Sequence, residues 1–303
     1  MTLIKHIVIS GGGPTIFTSI GALQTLEKNN LWNIENIESI YGTSAGGIIA
    51  VILCLKYSWD MINDYILNRP WHEAYKVNIH NIFDSFKKRG IYDRNAIDIF
   101  FKPLFAAKDL SLDITLKEFY DYSKIDLHFF TLELNNFKIE DVSHVSHPDL
   151  CLLTAIQMTC ALPILFAPVF LDNKCYMDGG VICNYPLNYC IQKYKNLDEI
   201  LSLKNSYDNS SKNHEISQQS SIIEYIMNFL FKVIYNLSTE KEQEKIPNEV
   251  ILNDMKFISL SYVKSTLSSV DVRKELFNKG IKSADDFLSK RESNELKDSI
   301  QEL

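Results

Sequence analysis

The sequence contains no block of basic residues. Its 31 lysines and arginines are spread along 303 residues and are outnumbered by 38 aspartates and glutamates, which gives a formal net charge of -7. Nucleic-acid binding relies on clustered cations that neutralise phosphate groups. The charge distribution therefore argues against nucleic acid as the main partner, while it leaves contact with a lipid surface through apolar residues open.

Long uncharged apolar runs are also missing. Without a stretch of 18 such residues the sequence predicts no transmembrane helix, and the apolar part of MTLIKHIVIS (1–10) is too short for a signal peptide. The six cysteines form no C-x-x-C pair and have no histidine at metal-ligand spacing. Three of them lie in apolar runs, which favours free thiols in a reducing compartment. We therefore expect a cytoplasmic protein that meets membranes only peripherally.

Strand-like segments alternate with glycine-rich loops and helical patterns near the N-terminus. HIVIS (6–10) and IESIY (37–41) have the β-branched composition of buried strands, and each precedes glycines and an apolar helical pattern. This order predicts an α/β fold with a parallel sheet. The length allows one large domain over 1–303, with a core over about 5–265 and a C-terminal helical region over about 266–303.

The rest of the chain alternates between helical, strand and polar patterns. The predicted features are two helices flanking Gly90, a hairpin turning at Asn135–Asn136, a helix ending at Pro163, a strand pair turning near Asp172–Asn173, a helix after Pro186, a polar surface loop over about 205–221, an amphipathic helix over 222–237 and a late strand over 255–263.

The segment GTSAG (42–46) matches the G-x-S-x-G pattern between a predicted strand and a predicted helix. In that context a sharp turn exposes the serine hydroxyl, and small flanking residues avoid clashes with neighbouring backbone. Gly42 and Gly46 would provide this space for Ser44. The alternative is a tight helix N-terminus in which the Ser44 side chain only caps the helix.

Gly11, Gly12 and Gly13 follow the first predicted strand. A dinucleotide-binding fingerprint would need a third glycine where the sequence has Ile16. An oxyanion hole, in which backbone N–H groups stabilise a tetrahedral intermediate, is a second interpretation. A simple tight turn is the third.

Asp178 is the strongest candidate for the base that an activated serine requires. It precedes Gly179 and Gly180 on a predicted tight turn, for which an Asp-Gly hairpin turn is the alternative. An α/β-hydrolase triad would require a histidine after the acid, and His214 in the polar loop is the only histidine there. A histidine-dependent esterase using His214 or His147 stays a less favoured hypothesis.

Taken together, SGGGPTIFTSIGAL (10–23), GTSAG and CALPILFAPVFLDNKCYMDGGVICNYP (160–186) resemble the patatin-like phospholipases. The three segments occur in the family's order and span roughly residues 5–190. The resemblance implies a three-layer α/β/α sandwich and a lipid acyl hydrolase with a Ser44–Asp178 dyad. It also implies an oxyanion hole formed by Gly12 and Gly13, a lipid ester substrate, and no metal or cofactor.

The sequence departs from the family where its glycine loop has an arginine or lysine followed by glycine. Thr15 and Ile16 occupy these positions, so the family's cation is missing. This departure supports an alternative function as a catalytically weak effector or scaffold that binds lipid or protein. An activating protein and delivery into a host cell as an effector are further possibilities that the resemblance raises.

Three apolar or basic features have two interpretations each. The helix over 222–237 packs on the sheet, which we favour, or inserts into a lipid interface. The aromatic residues Trp59, Trp71, Tyr57, Tyr65 and Tyr75 form core, which we favour, or the rim of an acyl-binding cleft. The basic cluster Lys87–Arg89 is a solvated turn, which we favour, or a contact for anionic head groups.

Overall fold

The computed structural model describes residues 2–75, 85–207, 216–239, 244–256 and 258–301. Its strands are β1 (His6–Ile9), β2 (Ser39–Thr43), β3 (Gly90–Tyr92), β4 (Asp126–Glu133), β5 (Lys138–Val142), β6 (Ile164–Phe166), β7 (Val169–Leu171), β8 (Lys174–Asp178), β9 (Ile200–Tyr207) and β10 (Asn248–Met255).

The helices that matter for the site and its surroundings lie between and after these strands. They are α1 (Ile16–Lys28), α2 (Ala45–Cys54), α3 (Trp59–Asn63), α4 (Trp71–Ala74), α5 (Arg94–Ala106), α6 (Leu116–Ser123), α7 (Leu152–Cys160), α8 (Leu187–Lys193), α9 (Ile222–Thr239), α10 (Leu260–Ser268) and α11 (Val270–Gln301). Within the described ranges, none of the helices combines the length and the apolar character needed to span a bilayer.

The main sheet has the strand order β10-β9-β1-β2-β4-β8-β7, and β5 pairs with the other edge of β4. The pairs from β10 to β4 are parallel, whereas β5, β7 and β8 pair antiparallel. Side chains of β1 alternate between the two faces: Ile7 and Ile9 pack with α1 and α2, and Val8 packs with α8. Helices thus cover both faces, which confirms the predicted α/β class with a mostly parallel sheet.

Several local predictions are also confirmed. β4 and β5 form an antiparallel hairpin around Asn135–Asn136, and β7 and β8 turn at Asp172–Asn173. The helix after Pro186 is α8. All six cysteines are free thiols, as the composition favoured.

The prediction of two helices flanking Gly90 is confirmed, because residues 85–88 are helical and α5 begins at Arg94. Between these helices Gly90 begins a short strand that was not predicted, β3, which pairs in parallel with β6. A Cβ at position 90 would lie 2.2 Å from the Ala167 nitrogen, so the two strands approach each other through the glycine. The glycine marks a close backbone approach rather than a helix end.

The predicted late strand over 255–263 is wrong. The strand is β10, which ends at Met255, and α10 begins at Leu260. The Ser259 hydroxyl accepts a hydrogen bond from the Tyr262 N–H at 3.1 Å, so this serine caps a helix within the segment predicted as strand. The C-terminal helical region therefore starts earlier than about 266.

The predicted polar loop over about 205–221 begins too early. Asn205, Ser206 and Tyr207 are the last residues of β9, where Asn205 pairs with Leu252 of β10. Residues 208–215 of that predicted loop, which include His214, lie outside the described residues. Backbone pairing to β10 outweighs the polar composition here.

Candidate active site

Ser44 lies in a sharp turn between β2, which ends at Thr43, and α2, which begins at Ala45. Its backbone has φ 53° and ψ -120°, a strained conformation for a residue with a side chain. The Ser44 N–H donates to the Thr159 hydroxyl at 2.9 Å. The Ser44 side chain makes no capping hydrogen bond, so the interpretation of Ser44 as a simple helix cap is wrong.

The two glycines of GTSAG lie where the turn brings backbone segments together. A Cβ on Gly42 would be 2.5 Å from the carbonyl carbon of Gly46, and a Cβ on Gly46 would be 2.3 Å from the Ile9 oxygen. Side chains at either position would push α2 away from the sheet. The glycines therefore allow α2 to start directly above the ends of β1 and β2.

The register of β4 brings Asp178 to Ser44. β2 runs parallel to β4 and ends with Thr43 opposite Phe130. β8 runs antiparallel along the same edge of β4 and ends with Asp178 opposite Thr131, the next residue. The ends of β2 and β8 therefore meet head to head, and the residue after Thr43 faces the last residue of β8.

Asp178 is buried, with 3% of its surface exposed, and its side chain accepts a hydrogen bond from the Gly180 N–H at 2.7 Å. Burial raises the pKa of Asp178 to about 6, against the smaller opposing effects of the Ser44 hydroxyl and the Gly180 N–H. The residue ends β8 before a 3-10 turn at Gly179–Val181. The alternative of an Asp-Gly hairpin turn is therefore wrong.

Gly12 lines the same small pocket as Ser44 and Asp178. Gly11 also lies against the serine, because a Cβ on it would be 3.0 Å from the Ser44 Cβ. Gly13 has φ +55° and begins a 3-10 turn that leads into α1. The first N–H groups of a helical turn have no acceptor within the turn, so this loop offers donors near the serine.

Two asparagine side chains hold the glycine loop from behind. Asn205 Nδ2 donates to the Gly11 carbonyl at 2.7 Å, and Asn184 Nδ2 donates to the same oxygen at 3.1 Å. Asn205 Nδ2 also lies 3.2 Å from the Thr15 hydroxyl. Because a trans peptide is planar, with its C=O and N–H antiparallel, fixing the Gly11 carbonyl fixes the direction of the Gly12 N–H.

An apolar cavity of about 200 Å³ opens beside Ser44. Its lining includes Phe17, Trp71, Tyr75, Phe100, Leu165 and Leu267. Five aromatic residues were considered above as core or as the rim of an acyl-binding cleft, and of these five only Trp71 and Tyr75 line the cavity. Trp59 instead stands edge-on to Trp32, Tyr57 donates to the Leu104 carbonyl at 2.5 Å, and Tyr65 hydrogen-bonds the Phe100 carbonyl.

A cleft of about 480 Å³ with polar and charged side chains in its lining, which we call the polar cleft, adjoins the pocket of Ser44 and Asp178. Asn184 and Tyr207 line both the cleft and the pocket, so the two are contiguous. The lining of the cleft carries a positive and a negative side chain, Lys204 and Glu249, whose Nζ and Oε1 atoms lie 4.0 Å apart. The serine thus stands between an apolar cavity and a polar cleft of mixed charge.

His147, one of the two histidines suggested as the base of an esterase, is not brought to this pocket, and the other, His214, lies outside the described residues. The His147 ring lies 2.9 Å from the Ser146 hydroxyl, and His144 lies 3.0 Å from Asp126. Asp126 begins β4, at the opposite end of the strand from Thr131. No group of three or more metal-ligating side chains in the described residues is arranged to hold a metal ion.

Sequence reasoning missed three residues around the serine. The Thr159 hydroxyl accepts a hydrogen bond from the Ser44 N–H, and Cys160 lies against the Ser44 hydroxyl. Asn205 supports the glycine loop through its hydrogen bond to the Gly11 carbonyl. Thr159 and Cys160 end α7, whose apolar pattern indicated only a buried helix. Asn205 gave no signal, because the polar residues that follow it indicated a loop.

The comparisons with known proteins agree with this architecture. Residues 7–191 match the sequence model of the family described as patatin-like phospholipase. Because the match covers more than half of the chain, the protein belongs to the patatin-like phospholipase family. The resemblance noted from the sequence is confirmed.

Two viral proteins are similar in sequence. One is the uncharacterized protein R571 of Acanthamoeba polyphaga mimivirus, which is 27% identical over 184 residues, or 61% of this chain and 60% of that protein. The other is the probable lipid hydrolase 463L of Invertebrate iridescent virus 6, which is 26% identical over 194 residues, or 63% of this chain and 64% of that protein. The chain thus spans less than two thirds of the length of either relative.

The crystal structure of VipD from Legionella pneumophila is similar in fold. The TM-score is 0.57 at 15% sequence identity, and the similarity covers 96% of this chain and 67% of the VipD chain. At this identity the similarity supports the fold alone, and it confirms that the central sheet and its helices follow a known arrangement.

Proposed function

We propose that the protein is a serine lipid acyl hydrolase of the phospholipase A type, with Ser44 as nucleophile and Asp178 as general base. The observation that supports this most directly is the meeting of β2 and β8 on β4. It places a strained serine against a buried carboxyl group in a pocket that Gly12 also lines. Membership of the patatin-like phospholipase family makes a lipid ester the expected substrate.

In the proposed mechanism the Asp178 carboxylate accepts the proton of the Ser44 hydroxyl while the serine oxygen attacks the ester carbonyl carbon. The carbonyl oxygen becomes an oxyanion that the Gly12 and Gly13 N–H groups stabilise. When the intermediate collapses, the alcohol leaves with the proton held by Asp178, and an acyl-enzyme remains. Water then attacks the acyl group with Asp178 again as base, which releases the fatty acid and restores Ser44.

The two cavities suggest how a lipid would bind. The apolar cavity lined by Trp71, Tyr75 and Phe100 would take an acyl chain. The contiguous polar cleft with Lys204 and Glu249 would take the polar part of the lipid. Since both cavities adjoin the catalytic pocket, an ester bond between the two parts would lie at Ser44.

Asn184 and Asn205 take the place of the family's missing cation in this proposal. They fix the Gly11 carbonyl, and through the peptide plane they aim the Gly12 N–H at the oxyanion. The departure at Thr15 would then leave the oxyanion hole intact, because the Thr15 hydroxyl joins the same contacts. A weakly catalytic effector or scaffold is the function that this departure would favour if the loop were not supported.

We expect Asn205→Leu to lower kcat about 10- to 100-fold, because a misaimed oxyanion donor stabilises the transition state less. KM for a short-chain ester should change little, since Asn205 is not among the residues that line the apolar cavity. Steady-state kinetics give both numbers. Asn253→Leu, at an exposed position of β10, is the matched control and should retain wild-type kinetics. A KM effect without a kcat effect would contradict the role of Asn205.

The pH dependence follows from the raised pKa of Asp178. Only the deprotonated carboxylate can accept the serine proton, so kcat/KM should rise about tenfold per pH unit below about pH 6. Above that value it should reach a plateau. The profile is measured with a soluble short-chain ester between pH 4.5 and 8, and a flat profile would contradict the proposed base.

The proposal as a whole is tested by labelling with a fluorophosphonate probe. Wild-type protein should gain one adduct, as seen by intact mass, and peptide sequencing should locate this adduct at Ser44. Ester turnover should fall in proportion to labelling. The reaction needs an activated serine and an oxyanion hole but no particular lipid. If folded protein gains no adduct with or without phospholipid vesicles, the effector or scaffold function is favoured instead.

A further inference from the structure

The helix α9 has two apolar faces, and only one of them packs on the protein. Met227, Leu230, Phe231 and Ile234 recur at helical spacing and pack in the cluster that contains Leu162 and Leu165. This part of the favoured prediction, core packing, is confirmed. The outer face is different, because it carries a second set of large apolar side chains.

The outer set is Ile222, Tyr225, Ile226 and Phe229, which we call the outer stripe. Their spacing of three and four residues aligns them along one side of α9. Ile222 is 74% exposed and Phe229 is 62% exposed. Soluble proteins seldom expose a contiguous apolar surface of this kind unless something binds it.

The position of α9 indicates what that surface meets. On its inner face, Phe231 and Ile234 line the pocket of Ser44 and Asp178. The outer stripe is therefore carried by the element that borders the pocket where, in the proposed function, a lipid ester is cleaved. Such esters reside in a membrane surface, so a contact made by this helix would bring the pocket to its substrate.

We propose that the outer stripe of α9 docks on the surface of a phospholipid membrane. The inference rests on the proposed function and deepens it by naming the surface that brings the enzyme to its lipid. A helix with aliphatic and aromatic residues on one face lies in the interface plane, with that face among the acyl chains. The hydroxyl of Tyr225, within the stripe, and the ammonium group of the exposed Lys232, three residues after Phe229, suit the head-group level.

The test compares vesicle binding with hydrolysis of a soluble ester. The stripe variant Ile226→Ser/Phe229→Ser is paired with the control Phe137→Ser, in which a phenylalanine with 58% exposure is changed at the turn between β4 and β5. Binding is measured by co-sedimentation with phosphatidylcholine–phosphatidylglycerol vesicles, with Ser44→Ala added to each protein to keep the vesicles intact. Turnover of p-nitrophenyl butyrate is measured in the proteins that retain Ser44.

The stripe variant should bind vesicles about 100-fold more weakly, because each large apolar side chain withheld from the membrane costs about a factor of ten. It should hydrolyse the butyrate ester at the wild-type rate, and Phe137→Ser should behave as wild type in both assays. Equal vesicle binding by the stripe variant and wild type would overturn the inference. So would a loss of self-association on gel filtration in place of vesicle binding, which would assign the stripe to a second copy of the chain.

Failure of the proposed function has a different signature. In that case wild-type protein would neither hydrolyse the butyrate ester nor react with the fluorophosphonate probe, whatever its vesicle binding. The two readouts therefore separate an error about the chemistry from an error about the docking surface.

Discussion

A Ser44→Ala variant is expected to hydrolyse carboxylic esters at least about 10⁴-fold more slowly than wild type, because the covalent route through an acyl-enzyme is lost. The neighbouring Cys160 cannot take over as nucleophile. Burial and the nearby Asp178 carboxylate hold the pKa of its thiol well above the usual range, so the reactive thiolate does not form.

The measurement is the initial rate on a short-chain ester, together with thermal unfolding to show that the variant is folded. Ser293→Ala, at an exposed serine of α11, serves as the matched control and should retain full activity. Substantial hydrolysis by a Ser44→Ala sample free of wild-type protein would rule out Ser44 as nucleophile.

The Asp178→Asn variant is expected to lose activity and gain stability at the same time. Activity should fall about 10³- to 10⁴-fold, since an amide cannot accept the serine proton. Asparagine keeps the size of the side chain and an oxygen for the Gly180 N–H. The geometry of the pocket is thereby preserved while the base is removed.

The stability gain follows from the cost of ionising a buried carboxyl group. Folding raises the pKa of Asp178 from an ordinary 3.8 to about 6, so the native state holds its proton more tightly than the unfolded chain. The neutral carboxyl group therefore contributes fully to the free energy of unfolding below about pH 4, and this contribution is lost as the pH rises through about 6. Above pH 6 the free energy of unfolding is lower by about 3 kcal/mol than it is below pH 4.

Asparagine carries no charge at any of these pH values. The free energy of unfolding of Asp178→Asn, from denaturant titrations, should therefore exceed that of wild type by up to about 3 kcal/mol at pH 8 and by little at pH 4. Asp286→Asn, an exposed change on α11, is the control and should show no such pH-dependent difference. If Asp178→Asn were less stable than wild type at pH 8, the conclusion that the ionised Asp178 side chain destabilises the native state would be wrong.

Much of the fold was predictable because local chemistry and tertiary structure agree. The β-branched residues before each glycine loop became β1 and β2, and the turn residues near 135 and 172 became hairpins. The order of GTSAG and the Asp178 segment identified the pair of residues that the structure brings together. In these segments the local preference for strand or turn agrees with the structure that the segment adopts in the sheet.

The later part of the chain was less predictable for a physical reason. β9 is buried at its start and polar at its end, so its last residues resemble the loop that follows them. The alternating pattern after Met255 resembles a strand, but the Ser259 cap commits it to helix α10. The contact of Asn205 with Gly11 joins positions 194 residues apart, and no local pattern encodes such a contact.

The head-to-head meeting of β2 and β8 on β4 also has a consequence for refolding. Neighbouring residues of a strand point to opposite faces, so a slip of β8 by one residue would turn the Asp178 side chain away from Ser44. Such a slip would preserve most backbone pairing and most of the helical content. After denaturation, hydrolysis would therefore recover only once Asp178 pairs with Thr131, which is later than the return of secondary structure. The recovered activity would thus measure the fraction of chains in which β8 has the correct register.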